Sequence, residues 1–567
     1  MNSLVLVIAA AVAFAFGYRF YSKLLALGVF RLLEEDDSTS TPFPPAGERS
    51  ATANRHMVFG HHVAALAGGI AVTGTVISLI WGWAPAFLWA VVGTVTAAGT
   101  YGLGALWMST HYPGLNPAQI AARLLGRPVH GIFALPIFLL LLVLNAVCAT
   151  LAAQTLAAFP SAVLPFWGIA LLALFLGNFL YGREDFAIIP ATLIALTLSL
   201  AGIWLLGGFP LSFTGALHLE TADSYVAFDA TVVWVVLFFV YGYHATRLPM
   251  WKLIRPRGYL TGLLLALMLI IFYVAVAIDH PNLVAPEINT APGIPPVIPW
   301  LFVTLTSGAV AGFHLLIANG VTARQMRRDA DARYIGYGGA MALGWLALSA
   351  VIIGGTAFTG APEWKQYYGS WDSLPDLSKA LTLYVNGFVQ HASGIGLDPE
   401  FARTLAAVVV TGLLAATLEG GLRAQKQLLA GLAEQYAPVL PAREKTQIGI
   451  AVAVSAALAL SDGHGHGAYS LWPIFGVADQ VVAVFGLAGL ALMLRRLDRP
   501  LVPVLIPLVF LLATTNAALV LQLVAWWSGN DWILLALGII LIGMELGLTF
   551  MALRILKIPL AKLDTGP

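Results

Sequence analysis

Residues 58–81 read VFGHHVAALAGGIAVTGTVISLIW, and this stretch contains no Asp, Glu, Lys or Arg. A membrane-spanning helix needs about 20 mostly apolar residues, so the stretch is long enough to cross a bilayer. The whole chain agrees, because 59% of its 567 residues are hydrophobic and only 10% are charged, against about 25% charged in a soluble domain. This composition excludes an ordinary soluble enzyme, a disordered chain, a coiled coil and a secreted disulfide scaffold.

The net charge and the single cysteine do not identify a partner. Lys and Arg total 29 and Asp and Glu total 28, so the net charge does not suggest nucleic-acid binding. Cys148 lies in an apolar run, which excludes internal disulfides and a cysteine-based metal site. The partners we expect are therefore the lipid bilayer and a small-molecule substrate, and the sequence does not predict an oligomeric state.

Further apolar runs extend this pattern along the whole chain and predict an all-α polytopic membrane protein with about fifteen spans. The predicted spans are 3–18, 58–81, 86–109, 130–158, 161–180, 186–207, 227–247, 258–278, 297–319, 335–359, 402–420, 446–461, 469–494, 501–526 and 531–555. No soluble domain interrupts them. The longest polar segments are 31–56 and 360–401, and the second predicts a short interfacial helix around 376–389.

The distribution of basic residues predicts the orientation. The first span has no basic residue before it, whereas Arg19 and Lys23 follow it directly. With fifteen spans and the N-terminus outside, all but three of the 29 Lys and Arg residues fall in inner loops, as the positive-inside rule requires. The exceptions, Lys365, Lys379 and Arg403, lie in the longest outer loop. We expect a membrane protein with its N-terminus outside and its C-terminus in the cytoplasm.

Five motifs, in order along the chain, resemble the carbon starvation protein family (CstA), which includes peptide and pyruvate uptake carriers. The motifs are RFYSKLLALGVF (19–30), FGHHVAALAG (59–68), YGYHATRLPMWKLIRPRGYL (241–260), GAVAGFHLLIANGVTARQMRRDADARYIGYG (308–338) and WPIFGVADQ (472–480). That family resembles the amino acid–polyamine–organocation superfamily. The resemblance therefore implies a core of two inverted five-helix repeats.

The chain departs from the family pattern at several positions. Tyr101-Gly102 stands where the pattern has His-Asp, and Gly258 stands where Asp follows the residue matching Arg257. Glu419 replaces an Asp, and Asp479 replaces an Asn. The resemblance therefore carries over the fold better than it carries over the substrate and the coupling ion.

The span count agrees with such repeats. Helices within 58–207 and within 227–420 form two sets of five, and an odd number per set inverts the second set. The remaining parts are an N-terminal helix (1–30), a cytoplasmic linker (31–57) and accessory helices (446–567). In carriers of this kind the first helix of each repeat is broken near the midplane. Two glycine-containing stretches predict the breaks: Gly68-Gly69 in the first repeat, with Gly60 and Gly74 nearby, and Tyr241-Gly242-Tyr243 followed by Pro249 in the second.

Three histidines are candidate proton or gate residues, because imidazole titrates near physiological pH. His61 and His62 lie near the inner end of the second span, and His314 lies in the inner half of the ninth, with Asn319 at its end. The superfamily arrangement implies that these two helices lie close together. The alternative is that the histidines only snorkel or bond to backbone carbonyls. We assign no metal, because no carboxylate or Cys accompanies the histidines.

Other candidate binding groups follow the predicted breaks. The backbone at Gly68 and Gly69 would face substrate. Tyr241 and His244 are three residues apart and share a helical face, where they could bind a carboxylate or a peptide carbonyl. Ser307, with Thr304 and Thr306, is the candidate sodium site that the superfamily implies. For each group the alternative is ordinary packing or a hydroxyl that bonds back to its own helix.

Ionisable groups inside a membrane are costly, so each is a functional hypothesis. Glu419 is predicted to end the eleventh span, paired with Arg423 at i, i+4, and Asp479 and Glu545 are predicted at mid-span. For Glu545 the alternative is a neutral acid bonded to Gln522 or Asn516. The outer loop that contains His464 and His466 is predicted to be a solvated turn.

These observations predict a secondary active transporter and no enzyme. No Walker A sequence, GxSxG elbow or repeated His box occurs in the chain. The resemblance implies import of small peptides or pyruvate-like carboxylates across the bacterial inner membrane by alternating access. We expect coupling to protons in preference to sodium, with no other cofactor. The alternative is a nutrient sensor on a transporter fold, which would bind without net transport.

Overall fold

A computed structural model describes residues 1–32, 53–112, 115–126, 129–181, 183–213, 218–221, 224–227, 229–305, 312–374, 376–436 and 443–557. These residues are helical apart from loops and one antiparallel hairpin, β1 (His218–Thr221) and β2 (Ser224–Ala227). The all-helical prediction is thus confirmed for the membrane part. Most of the predicted linker, residues 33–52, and the candidate residue Ser307 lie outside the described residues.

The first half of the chain contains twelve of the numbered α-helices, several of them extended by short π or 3-10 turns. They are α1 (Ser3–Phe16), α2 (Ser22–Leu24), α3 (Arg55–Ala67), α4 (Ile70–Ser78), α5 (Trp83–Leu88), α6 (Gly99–His111), α7 (Pro117–Leu125), α8 (Val129–Ala158), α9 (Val163–Leu180), α10 (Glu184–Gly207), α11 (Ala230–Arg247) and α12 (Ile254–Asp279).

The second half continues the same pattern. Its helices are α13 (Val297–Thr304), α14 (Gly312–Ile317), α15 (Gly338–Thr356), α16 (Ala361–Tyr368), α17 (Leu377–Gly394), α18 (Pro399–Tyr436), α19 (Glu444–Ala459), α20 (Trp472–Arg496), α21 (Val502–Gly529) and α22 (Trp532–Lys557). Among the described residues, ten helices are long and apolar enough to cross a membrane, and the bent pair α3–α4 makes up to eleven.

The second predicted span is broken where the glycine pair predicted it. Gly68 and Gly69 have φ values of 57° and 66°, both in the left-handed region. This conformation is costly for residues with a side chain and free for glycine. The segments 55–67 and 70–81 consequently meet at a bend of 49°.

The predicted break at Tyr241-Gly242-Tyr243 is wrong. Helix α11 runs without interruption through these residues to Arg247 and ends at Leu248, just before Pro249. Gly242 serves a different purpose, since a Cβ on it would lie 2.6 Å from the Cδ1 of Leu422. The glycine lets α11 approach α18 closely.

Helix α18 is the centre of the bundle. It has 38 residues, and its apolar window is 100% buried, whereas the window in 188–207 is only 22% buried. It packs against α3, α8, α12 and α17. The broken helix α3–α4 therefore lies against the most buried helix of the protein.

The predicted short helix in the long outer loop is present and longer than expected. Helix α17 begins after Asp376, whose carboxylate accepts a hydrogen bond from the N–H of Lys379 at 2.8 Å. Its apolar face is buried against α18, α12 and α4. The helix thus packs onto the transmembrane bundle.

The left-handed backbone at Gly69 generates a stability prediction. A Cβ at this position would lie 2.8 Å from the Cδ2 of Leu414. We expect Gly69→Ala to lower the stability of the protein by about 1–2 kcal/mol from the backbone conformation, plus the cost of the clash. Adding Leu414→Ala should remove only the clash. Thermal unfolding in detergent measures both effects.

Gly202→Ala is the matched control, because a Cβ there meets no atom within 4 Å. We expect it to be neutral or slightly stabilising, since alanine favours a helix more than glycine does. A melting temperature for Gly69→Ala equal to that of Gly202→Ala would contradict a required left-handed conformation.

Candidate functional site

The break between α3 and α4 is closed by α18. The hydroxyl of Thr417 donates to the carbonyl of Ala65 at 2.7 Å, which is one of the last four carbonyls of α3 and so has no partner within its helix. A Cβ at Gly68 would lie 2.9 Å from the Thr417 hydroxyl oxygen. The backbone of the break is thus buried against α18, and one of its unpaired carbonyls accepts a hydrogen bond from the hydroxyl of Thr417.

His61 lies in α3, the first segment of the broken helix, and is completely buried. Its ring contacts α12 directly, because a Cβ on Gly258 would collide with its Nδ1. Neither ring nitrogen hydrogen-bonds to a described protein atom. Three guanidinium groups act electrostatically on this imidazole, those of Arg255, Arg257 and Arg423. One of these groups, that of Arg257, is paired with the carboxylate of Glu419.

His62 faces the segment that follows the ninth predicted span. Its Nδ1 lies 2.8 Å from the Oγ1 of Thr322. Helix α14 packs against α3, and the buried His314 on it acts electrostatically on His62. Asn319 is buried in the following turn, 318–322. The structure thus brings His62 and His314 into one neighbourhood, and His61 also acts electrostatically on His62.

Tyr241 and His244 lie in different surroundings. His244 is exposed and its ring contacts that of Tyr243. Tyr241 is half-buried, and its hydroxyl donates to the Oε1 of Glu419. The two residues share a helical face, but only Tyr241 turns toward the buried interior.

Glu419 and Arg257 form a buried ion pair that the sequence did not predict. The Nε of Arg257 lies 2.8 Å from the Oε1 of Glu419, and their side chains are 2% and 0% exposed. The prediction that Glu419 ends its helix beside Arg423 is wrong, because α18 continues to Tyr436. Arg423 instead donates to the carbonyl of Leu248.

The side chain of Glu545, another acid predicted at mid-span, has no hydrogen-bond partner among the described residues. Neither of its carboxylate oxygens accepts a hydrogen bond from them. Gln522 donates to the carbonyl of Pro473 at 3.0 Å and Asn516 to that of Leu512 at 2.8 Å. The expected bond from either side chain to Glu545 is therefore wrong.

The turn that contains His464 and His466 is exposed, and hydrogen bonds hold it in place. The carboxylate of Asp462 accepts backbone hydrogen bonds from residues 464–466. Burial alone would raise the pKa of Asp462, but these donors outweigh it and hold the pKa below its usual value. Thr150 in α8 donates to the carbonyl of Gly465 at 2.8 Å. Among the described residues no group of three His, Cys, Asp or Glu side chains could hold a metal ion.

A cavity of about 850 Å³ lies beside α3, between α12 and α15. Its lining is mostly apolar and aromatic, with Phe59, Tyr259, Tyr273 and Trp345 among the larger side chains. It contains none of the sequence-predicted site residues. Such a lining suits apolar groups, whereas a carboxylate needs convergent polar partners.

The buried ion pair generates a prediction about stability. Removing one partner strands the other charge in a dry interior, which costs about 3–5 kcal/mol. We expect Arg257→Gln and Glu419→Gln each to destabilise the protein strongly, and the double variant to be more stable than either. A double-mutant cycle by thermal unfolding in detergent measures the coupling.

Lys379→Gln is the matched control, because Lys379 pairs with Asp376 at 3.4 Å with side chains 72% and 51% exposed. An exposed pair contributes about 0–1 kcal/mol. Additive effects of Arg257→Gln and Glu419→Gln would show that the two charges do not interact.

Known proteins are similar to this chain over nearly its whole length. The family model described as carbon starvation protein CstA matches residues 2–361 and 375–518. A peptide transporter CstA from Campylobacter jejuni is 26% identical over an alignment of 591 residues, gaps included. The alignment covers 94% of this chain and 82% of the relative. The pyruvate/proton symporter BtsT of Escherichia coli is 26% identical over an alignment of 600 residues, gaps included. This alignment covers 92% of this chain and 82% of the relative.

Among solved structures, a manganese transporter from Eremococcus coleocola aligns with 87% of this chain and 94% of its own at 15% identity, with a TM-score of 0.34, too low to support an argument about the fold. The names of these two relatives describe transporters and not enzymes. Together with the apolar helices, the match over nearly the whole chain identifies a multi-pass membrane protein that belongs to the carbon starvation protein family.

Proposed function

We propose that this protein is a secondary carrier that imports small peptides or pyruvate-like carboxylates across the bacterial inner membrane by ion-coupled alternating access. The observation that carries the proposal is the buried break at Gly68-Gly69. Non-helical backbone at membrane depth is tolerated only where it is buried in protein or lines a cavity, and transporters use it to bind substrate and ions. The relatives named as peptide and pyruvate carriers support the substrate class.

The core we propose is a pair of inverted five-helix repeats within about fifteen spans, but with shifted boundaries. Because α11 is continuous, the counterpart of the broken α3–α4 is better sought in the ninth span, where α13 ends at Thr304 and α14 begins at Gly312. The second repeat would then run from α13–α14 through α15, α18 and α19 to α20. It would not begin at residue 227.

The packing of the helices supports this assignment. The two longest helices, α8 and α18, become the third members of the two repeats, and they pack against each other. Helices α12 and α20 become the fifth members. Each of them packs on the first helix of its own repeat and on the third helix of the other one. The first repeat then comprises α3–α4, the helix 83–111, α8, α11 and α12, with α9 and α10 inserted.

The substrate and the coupling ion are proposed to meet near α3. The guanidinium groups around His61 suit a carboxylate, and Gly68, Gly69, Tyr241 and Asn319 remain proposed binding residues. A proton is the preferred coupling ion, carried by His61, His62 or His314. Sodium, held by hydroxyls around Ser307, is the alternative. Glu419 joins the proton candidates, because it is a buried carboxylate beside the same helix.

The proposed orientation can be tested with introduced cysteines, since the only native cysteine, Cys148, is buried. His464 and Thr446 are exposed residues beyond the end and near the start of α19. With the N-terminus outside, an impermeant maleimide added to whole cells should label His464→Cys directly. Thr446→Cys should react only after permeabilisation. The opposite pattern would reverse the topology, and the unmodified protein is the blank.

Transport is tested with purified protein in proteoliposomes. We expect labelled pyruvate, a dipeptide or a tripeptide to accumulate on an imposed proton gradient, with a sodium gradient as the comparison. Binding without accumulation would indicate a sensor. Uptake driven by sodium and insensitive to pH would favour the hydroxyls around Ser307. No binding and no uptake of any of these compounds would contradict the proposed function.

The same assay tests the histidines. We expect His→Gln at the responsible position among His61, His62 and His314 to keep substrate exchange at equilibrium. It should abolish accumulation on a pH gradient, because glutamine cannot load a proton. The exposed His244 provides the control, as His244→Gln should accumulate substrate normally. If all three variants still concentrate substrate, the coupling proton is carried elsewhere.

A further inference from the structure

The end of α13 and the start of α14 both contact α20. α13 ends at Thr304, and α14 begins at Gly312. The last carbonyls of the first helix and the first N–H groups of the second have no partner within their own helix. Two adjacent residues of α20, Asp479 and Gln480, bind groups at both ends.

Asp479 binds the start of α14. Its side chain is 1% exposed, and its Oδ1 accepts a hydrogen bond from the N–H of Phe313 at 2.9 Å. The carboxylate also accepts from the N–H of Gly312. A carboxylate at a helix N-terminus is favourable, because the unpaired N–H groups there carry partial positive charge. Asp479 thus caps a helix to which it is not connected in sequence.

Gln480 binds the end of α13. Its Nε2 donates to the carbonyl of Phe302 at 2.9 Å, and its Oε1 accepts from the hydroxyl of Thr515 in α21 at 2.9 Å. A hydroxyl can serve as donor and a carbonyl only as acceptor. Thr515 therefore fixes the orientation in which the amide of Gln480 holds α13.

The backbones at these contacts are too close for side chains. A Cβ on Gly476 of α20 would lie 3.0 Å from the carbonyl oxygen of Val303. A Cβ on Gly312 would lie 2.5 Å from the Cβ of Val482 and 2.9 Å from the backbone nitrogen of Ala483. Small residues let membrane helices approach this closely, which puts the polar groups within hydrogen-bonding distance.

We propose that Asp479 and Gln480 form a clamp that fixes α13 and α14 relative to each other and so positions His314, the residue after Phe313. Both act as positioning residues through the helices they hold. Their effect on transport rests on the proposed function, whereas their effect on the helix ends does not. Because Asp479 needs only to accept hydrogen bonds, asparagine should replace it well and leucine should not.

The chain offers a matched control outside the clamp. Gln522 is 8% exposed and donates from α21 to the carbonyl of Pro473 in α20 at 3.0 Å. It therefore makes the same kind of buried bond as Gln480, between α21 and α20 alone. Gln522→Leu should cost stability without releasing α13 or α14.

Hydrogen–deuterium exchange of the purified full-length protein tests the clamp without any substrate. We expect Asp479→Leu to accelerate exchange of the amides in Gly312–Ile317 by about tenfold or more, and Asp479→Asn to stay within about threefold of the unmodified protein. Gln480→Leu should accelerate exchange in Val297–Thr304, whereas Gln522→Leu should leave both segments unchanged. Unchanged exchange in Asp479→Leu, or equal acceleration in Asp479→Asn, would overturn the clamp.

Uptake gives the second measurement. With a substrate that the unmodified protein transports, Asp479→Leu should raise KM by about tenfold, with restoration by Asp479→Asn and no change in Gln522→Leu. If Asp479→Leu does not fold, Gln480→Leu and Thr515→Val test the same clamp from α13. The expected exchange pattern without any transport would refute the proposed function and leave the clamp standing. Normal exchange with normal transport would refute the clamp alone.

Discussion

A hydrogen bond that a helix cannot make with itself must be made by another helix when no water is present, and this constraint governs the centre of the protein. The break at Gly68-Gly69 leaves α3 with unpaired carbonyls, and Thr417 on α18 satisfies that of Ala65. Side chains of α20 hydrogen-bond to the end of α13 and to the start of α14. The most buried helix, α18, and the glycine-lined α20 are thus the ones that supply polar groups.

The same lack of water explains why the buried charges are paired. Arg257 and Glu419 lie on different helices, and each is the charge that makes the other tolerable. Tyr241 adds a hydroxyl donor to the same carboxylate. His61, which lies among the guanidinium groups, has no hydrogen-bond partner among the described residues. Any change in the protonation of Glu419 would therefore alter the electrostatics of α11, α12 and α18.

Much of this architecture could be predicted from sequence, and the failures have physical causes. The apolar runs identified the helices, and the glycine pair located the break, because adjacent glycines at mid-span have few other uses. Gly242 misled the prediction, since a glycine needed for close packing against Leu422 has the same local sequence as one that breaks a helix. Glu419 was placed at a helix end because the hydropathy falls there. The helix continues, since its polar residues are paired inside the bundle. Contacts between distant helices have no local signal, so the Arg257 pair was missed.

The break at Gly68-Gly69 and the ends of α13 and α14 differ in how firmly neighbouring helices hold them. Each buried hydrogen bond contributes about 0.5–1.5 kcal/mol, and α3 receives one from α18 whereas the ends of α13 and α14 make three with α20. At α3 the described cross-helix support is the neutral hydroxyl of Thr417, which comes from the third helix of the other proposed repeat. At α13 and α14 it is a carboxylate and an amide, which come from the fifth helix of the same proposed repeat. A rocking motion between the repeats would therefore break the weaker contact at α3 first, while α13 and α14 move together with α20.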